Sequence, residues 1–268
     1  MTSLLVGEES KGKTVEEDFL NGKAATYAGA NGATFTNGNG HPSVNGHNGR
    51  DGDHVVIRRY RPEDRPSILR ICCDTGFLGK PIEPIFNDRE IFAGLFAAPY
   101  LDYGPNWAWV ADDGRRVVGY LLGSVSPSFH YALLYSGFQT AVKMITRAAT
   151  GCYANHPRSR HFIRWLLTSG YREQPRHPDH AAHLHFNIEK NYRGHGLARR
   201  LWRAYEEQLS EAGMENCYGS FFSWPGRRPE AVYSRLGFSV FDRKRTTIFE
   251  PEISEPIEIV CVQGKVGR

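Results

Sequence analysis

The 268-residue chain is poor in the features that mark disulfide scaffolds, metal clusters and membranes. Its five cysteines, Cys72, Cys73, Cys152, Cys217 and Cys261, form no Cys-x-x-Cys pair and leave one over, which argues for reduced thiols rather than a disulfide framework. Cys217 has no adjacent base that would make it a nucleophile, so it reads as a small packing residue. No apolar run approaches the roughly 20 residues that span a bilayer. The opening Met1-Thr2-Ser3-Leu4-Leu5-Val6 is too short for a secretion signal and has no basic start, so a cytoplasmic protein without a membrane partner is expected, a nuclear address staying open. The net charge of +4 is modest, and the basic groups Arg58-Arg59-Tyr60-Arg61 and Arg243-Lys244-Arg245 are short and separated, which implies no nucleic-acid partner. His177, His180, His183 and His185 cluster without a carboxylate or thiolate at ligand spacing, and no metal is expected there. The chain also lacks a Gly-Lys-Ser/Thr phosphate loop and the three-glycine dinucleotide fingerprint, making nucleoside triphosphates and NAD poor ligand candidates.

A 40% hydrophobic content suffices for a core, but it is unevenly spread. Residues 1–50 hold nine Gly and six Asn without helical or strand periodicity, so 1–53 are expected to form a disordered arm before one domain over 54–268. The β-branched stretch 55–60 reads as a strand, followed by a helix over 67–73 with Asp64 as candidate N-cap and Pro66 early in it. A second helix is expected over 88–97. Two strands, 107–111 and 117–125, flank an Asp112-Asp113-Gly114-Arg115 turn as a hairpin. Helix-like runs at 131–149 and 157–167 lie in a long connection, 126–182, which reads either as a pair of packing helices or as a lid over a pocket. A buried strand over 217–223 and a last strand over 257–262 at the sheet edge complete the pattern.

The most informative stretch is Arg193-Gly194-His195-Gly196-Leu197-Ala198. Before it, His183-Leu184-His185-Phe186-Asn187-Ile188 alternates with period two, as a strand does. After it, Leu197, Leu201, Ala204, Tyr205, Leu209 and Ala212 recur at helical spacing up to a capping Gly213. A strand, a two-glycine loop and a fresh helix N-terminus together point unpaired amides and a positive dipole end at an anion such as pyrophosphate.

This loop resembles the Gln/Arg-x-x-Gly-x-Gly/Ala loop of the GCN5-related N-acetyltransferase (GNAT) family, through Arg193, Gly196 and Ala198. Tyr233-Ser234-Arg235-Leu236-Gly237-Phe238 resembles the family's closing Tyr-x-x-Leu-Gly-Phe. Residues 183–196 are similar to the acetyltransferase-like domain attached to O-GlcNAc hydrolases and to its bacterial relatives. The chain departs from the family at Gly226, where members commonly carry Asn, and in the length of 126–182.

The resemblance implies an α/β fold, a mixed twisted sheet flanked by helices, with an insert between its third and fourth strands. It further implies acetyl coenzyme A as acyl donor, lying against Phe186, Asn187 and Ile188 with its pyrophosphate on the amides of Arg193, Gly194, His195, Gly196, Leu197 and Ala198. A backbone N–H near Ile188 would polarise the thioester carbonyl. The side chains of Arg193, Arg199 and Arg200 are further candidates for the cofactor's phosphates. His185, then His183, are the candidate general bases, with Glu189 in reserve and expected to face solvent; Tyr233 is the candidate acid for the departing thiolate. The expected reaction is direct attack by the amine of a small molecule in a ternary complex. A protein amine, a longer acyl donor, and coenzyme A or peptide binding without turnover are the rival readings. A homodimer is one assembly such a domain can form.

Overall fold

The computed structural model describes residues 54–268 except 127, 128, 228, 251 and 268. The expected arm over 1–53 lies outside the described residues.

Strand β1 (Val56–Arg59) leads through a 3-10 turn (Pro62–Asp64) into helix α1 (Arg65–Thr75). Asp64 stands at the helix boundary, but its carboxylate does not cap the helix. It accepts from the Arg61 amide at 2.8 Å and from Arg58 at 2.7 and 2.8 Å, tying the turn to β1. Helix α2 (Arg89–Phe96) is capped by Asp88, which accepts from the Ile91 amide at 3.1 Å. A short α3 (Ala98–Tyr103), begun by Pro99 and not anticipated from the sequence, brings Tyr100 into the interior. Strands β2 (Ala108–Asp112) and β3 (Val117–Ser124) form the expected antiparallel hairpin.

The insert folds as two helices, α4 (Phe129–Ala149) and α5 (Pro157–Thr168). Phe162 of α5 is fully buried and stacks on Phe86 with centroids 4.6 Å apart, while Arg147 of α4 and Tyr153 grip Asp88 at 2.7 Å each. The insert therefore supplies core as well as covering it. Strand β4 (Ala182–Ile188), helix α6 (Leu197–Glu211), strand β5 (Asn216–Ser223), the short α7 (Glu230–Arg235), and strands β6 (Phe238–Thr246) and β7 (Ile257–Lys265) follow.

The seven strands run in the order β1-β2-β3-β4-β5-β7-β6. This corrects one expectation: the last strand is not at the edge. It inserts between β5 and β6, antiparallel to both, because its run from Ile257 to Val262 is almost wholly apolar and fits an interior position, whereas the Arg- and Lys-rich β6 tolerates solvent at the edge. Every residue of the central β3 is buried, and apolar clusters cover both faces of the sheet, one built with α1 to α5 and the other with α6 and α7. Among the described residues β4 and β5 are the parallel neighbours, and they stay together only briefly: pairing runs Ala182↔Cys217, His183↔Tyr218, Leu184↔Gly219 and then stops.

Candidate functional site

The site begins where that pairing stops. Glu189 donates its amide to Val118 at 2.9 Å, and strand alternation then turns the amides and carbonyls of Asn187, His185 and His183 toward β3 as well. Those of Phe186 and Ile188 face the other way, into the gap that opens between β4 and β5 beyond Leu184. A central sheet has split; Arg193 takes the Ile188 carbonyl, and the backbone groups of Phe186 and the Ile188 amide are offered to something else.

At the wide end of the gap lies the glycine loop. Gly194 and Gly196 have φ of 87° and 75°, left-handed backbone that a side chain would strain by roughly 1–2 kcal/mol. Gly196 is the N-cap of α6, so the amides of Leu197, Ala198 and Arg199 have no intrahelical acceptor and point along the positive end of the dipole. The ring Nδ1 of His195 is buried in this loop without a hydrogen-bond partner. An orphaned donor or acceptor beside unpaired amides fits a polar, anionic group, and the gap beyond it fits the amide-bearing arm of a coenzyme A.

Arg193 is anchored across the gap. Its Nε donates to the Ile188 carbonyl at 2.8 Å and Nη2 to the Gly79 carbonyl at 3.2 Å. Arg227, from the loop between β5 and α7, arrives at the same place: a methyl group at Gly79 would lie 3.0 Å from Nη1 of each arginine, so the two cations approach within about 6 Å of one another. Burial and the neighbouring Arg227 both push the Arg193 pKa down. Arg227 was not singled out in the sequence, since nothing in the run 224–229 signals that its loop folds back over Gly79. Arg200, by contrast, donates to the Val55 carbonyl and is turned toward β1, and Arg199 is exposed at the head of α6.

The candidate bases sit on the opposite side chain face of β4. His183 Nδ1 is 2.8 Å from the hydroxyl of Tyr100, and His185 Nε2 is 3.1 Å from that of Tyr120. The Asn187 amide donates to the same Tyr120 oxygen at 2.8 Å and lies 3.2 Å from His185 Nε2. Two tautomers are compatible with the Tyr120 contact: with Nε2–H donating to the Tyr120 oxygen, His185 Nδ1 keeps its lone pair; with the Tyr120 hydroxyl and the Asn187 amide both donating to Nε2, Nδ1 carries the proton. Both imidazoles are partly buried, and desolvation lowers their pKa to about 3 for His183 and about 4 for His185, so each is neutral throughout the physiological range. Tyr218 leans on His183 with centroids 4.8 Å apart, and His177 stacks on Tyr218 at 5.0 Å.

Tyr233 comes from α7 on the far side of the gap. Its ring stacks on Phe221 at 4.5 Å and meets Phe186 at 5.5 Å, and burial raises its pKa, so its hydroxyl keeps its proton. Glu189 departs from the expected solvent-facing posture: Arg70 holds it at 2.7 Å and Arg116 at 2.5 Å, engaging both carboxylate oxygens in part, which removes it as a reserve base. Gly226 lies in the turn from Trp224 to Arg227 and offers no side chain to a ligand. Beside this end of β5, a cavity of about 260 Å³ is lined by Ser223, Trp224, Glu230, Arg243 and Arg245 among others.

A mixed sheet split between two parallel strands, with a glycine loop and helix N-terminus at the mouth of the split, defines an acyl coenzyme A-dependent transferase fold. The chain belongs to the acetyltransferase (GNAT) family, whose model matches residues 80–238, more than half of the sequence. Acetyl coenzyme A is the acyl donor of that family. Among solved structures, SsHAT is 23% identical, with a TM-score of 0.50 over 80% of this chain and 99% of that one. A phosphinothricin acetyltransferase from Sinorhizobium meliloti in complex with AcCoA is 15% identical (TM-score 0.47, 80% and 89% covered). The ribosomal-protein-S18-alanine N-acetyltransferase from Escherichia coli is 12% identical (TM-score 0.46, 80% and 95%). The likeness to SsHAT supports the fold. Among the described residues no helix is long and apolar enough to cross a membrane.

Proposed function

We propose that the protein transfers an acetyl group from acetyl coenzyme A to the amine of a small molecule, with donor and acceptor bound together. The observation that carries this reading is the end of β4–β5 pairing at Leu184↔Gly219, which turns the backbone of Phe186 and Ile188 toward a gap whose mouth is the Gly194–Gly196 loop.

Acetyl coenzyme A supplies an activated acetyl group and a thiol as leaving group. The Phe186 backbone would bind and orient the donor's amides, and the Ile188 N–H would polarise the thioester carbonyl. The amides of residues 193–198 hold the pyrophosphate, helped by the Arg193 and Arg227 guanidinium groups. His185 would take a proton from the acceptor amine through Nδ1, in the tautomer whose Nε2–H donates to Tyr120. His183 serves as the alternative, in the tautomer where Nδ1–H donates to Tyr100 and Nε2 accepts. Tyr233 gives its proton to the departing sulfur, a role suited to a phenol that burial keeps protonated. The crowding of Tyr100, Tyr218 and His177 around His183 favours a compact acceptor over an extended polypeptide.

A second reading, coenzyme A binding without turnover, is favoured by the low pKa values of both histidines and by the bare backbone at Gly226. Calorimetric titration with acetyl coenzyme A, followed by thiol release against a panel of amines, separates the two. Binding with release on one class of small amine supports the transferase and names its acceptor. Binding without release on any amine, peptides included, supports the second reading, and no binding overturns both.

A further inference from the structure

Helix α4 is apolar on two sides. Its inward side carries Phe129, Ser136, Thr140 and Met144, all buried, with Leu133 packed against the core. Its outward side carries Tyr131, Leu134, Tyr135, Phe138, Val142 and Ile145, which are between 49% and 73% exposed. At 3.6 residues per turn these six fall within a wedge of roughly 100°, an unbroken apolar stripe about 21 Å long. Elsewhere the exposed large apolar residues, such as Tyr103, Leu167 and Val240, are scattered, which is ordinary for a folded surface. A helix that packs one side into the core and leaves a second, apolar stripe exposed is shaped for a partner.

We infer that the stripe on α4 is the interface of a twofold-symmetric homodimer, in which α4 packs antiparallel on α4 of a second copy. The spacing of the stripe identifies the occupant. It is palindromic about Phe138: Tyr131 lies as far before it as Ile145 lies after it, and Leu134 as far before as Val142 after. An antiparallel pair centred on Phe138 therefore sets Tyr131 against Ile145, Leu134 against Val142 and the large Tyr135 against the small Ala141, with the two Phe138 rings meeting at the axis. This is the self-complementarity that an isologous contact requires. The area is sufficient, since exposed aromatic and aliphatic side chains of these sizes offer on the order of 700 Å² per copy, or about 1,400 Å² for the pair, within the standard range for stable interfaces. The flanking charges do not oppose it. Lys143 is paired with Glu90 at 3.7 Å, and Arg147 with Asp88 at 2.7 Å and Glu90 at 2.5 Å, all within one chain, so the symmetric approach of two copies brings together neutralised flanks.

Sedimentation equilibrium on the full chain tests this, with Phe138→Asp as the variant. Phe138 is 68% exposed, so the substitution leaves the monomer's packing intact, but in the dimer it sets two carboxylates face to face on the axis. The wild type is expected at twice the chain mass of 30.2 kDa from about 100 µM down to about 1 µM, and the variant at the chain mass with an unchanged melting curve. A second variant guards against misfolding. In a Cys152→Ser background, which removes the exposed thiol, Phe138→Cys is expected to form an intermolecular disulfide under mild oxidation. A monomeric wild type at about 100 µM overturns the inference, as does a Phe138→Asp protein that remains dimeric with its Phe138→Cys counterpart uncrosslinked. A monomeric wild type that co-floats with vesicles of mixed phosphatidylcholine and phosphatidylserine also overturns it and assigns the stripe to a membrane surface.

Discussion

The hydroxyl of Tyr100 and Nδ1 of His183 stand 2.8 Å apart, joining α3 to β4 across the face of the sheet that carries the candidate bases. This contact links a helix begun by Pro99 to the chemistry of a strand more than 80 residues away, and it fixes which imidazole nitrogen can meet an acceptor. If His183 is the base, Tyr100→Phe is expected to lower kcat several-fold and leave the acetyl coenzyme A affinity unchanged. If His185 is the base, Tyr120→Phe lowers kcat and Tyr100→Phe does not. Steady-state kinetics on the two variants assign the role.

Both histidines are neutral in the folded state down to about pH 4 or below, whereas an unfolded histidine titrates near 6.5. Between those values the unfolded chain binds more protons, so stability rises with pH across that window. The contribution is fully present above about pH 6.5 and is lost as pH falls toward 4 and then 3. Melting temperature measured from pH 7.5 to 4.5 should therefore fall more steeply for the wild type than for a His183→Asn/His185→Asn double variant; parallel curves would show that the imidazoles are solvated. The kcat/KM profile should correspondingly lack an inflection near 6.5 from the enzyme and follow the acceptor amine instead.

Gly196→Val is expected to weaken acetyl coenzyme A binding by more than ten-fold, equivalent to about 1.4 kcal/mol, because it strains a left-handed residue in the loop proposed to hold the phosphates. A Cβ there meets open space, so the fold should survive. Calorimetry with a parallel melt checks both halves; undiminished affinity would remove the loop from the site.

Arg227→Ala removes an exposed cation and should leave the melting curve in place while weakening acetyl coenzyme A binding, with a loss of about 1.5–3 kcal/mol if the guanidinium reaches a phosphate. The affinity should also become less sensitive to salt. If affinity for the donor is unaltered and KM for an anionic acceptor rises instead, the arginine pair belongs to the acceptor subsite.

Tyr233→Phe keeps the ring that stacks on Phe221 and deletes only the hydroxyl. Turnover is expected to fall on the order of 10²-fold with donor affinity nearly constant, as for loss of a general acid. Pre-steady-state acetylation followed by thiol release would detect it, and an unchanged rate would leave Tyr233 as a packing residue.

The local elements were legible because each is coded by its own residues. Period-two alternation marked β4, helical spacing marked α6, Asp-Gly marked the β2–β3 hairpin, and two glycines at positive φ marked the loop. What involved distant partners was not. The insertion of β7 inside the sheet depends on which strand edge β6 leaves to it. The capture of Glu189 by Arg70 and Arg116, and the meeting of Arg193 with Arg227 over Gly79, each join residues far apart in sequence whose approach no local pattern encodes.

The sequence by itself thus determined the family, the glycine loop before α6 and the residues on each face of β4, since these follow from backbone preferences and short-range periodicity. The tertiary structure alone decided where β4 and β5 part, which ring nitrogens are occupied, and that α4 leaves an apolar stripe exposed. Those are outcomes of packing, in which the competition among all faces for burial overrides what any one segment prefers.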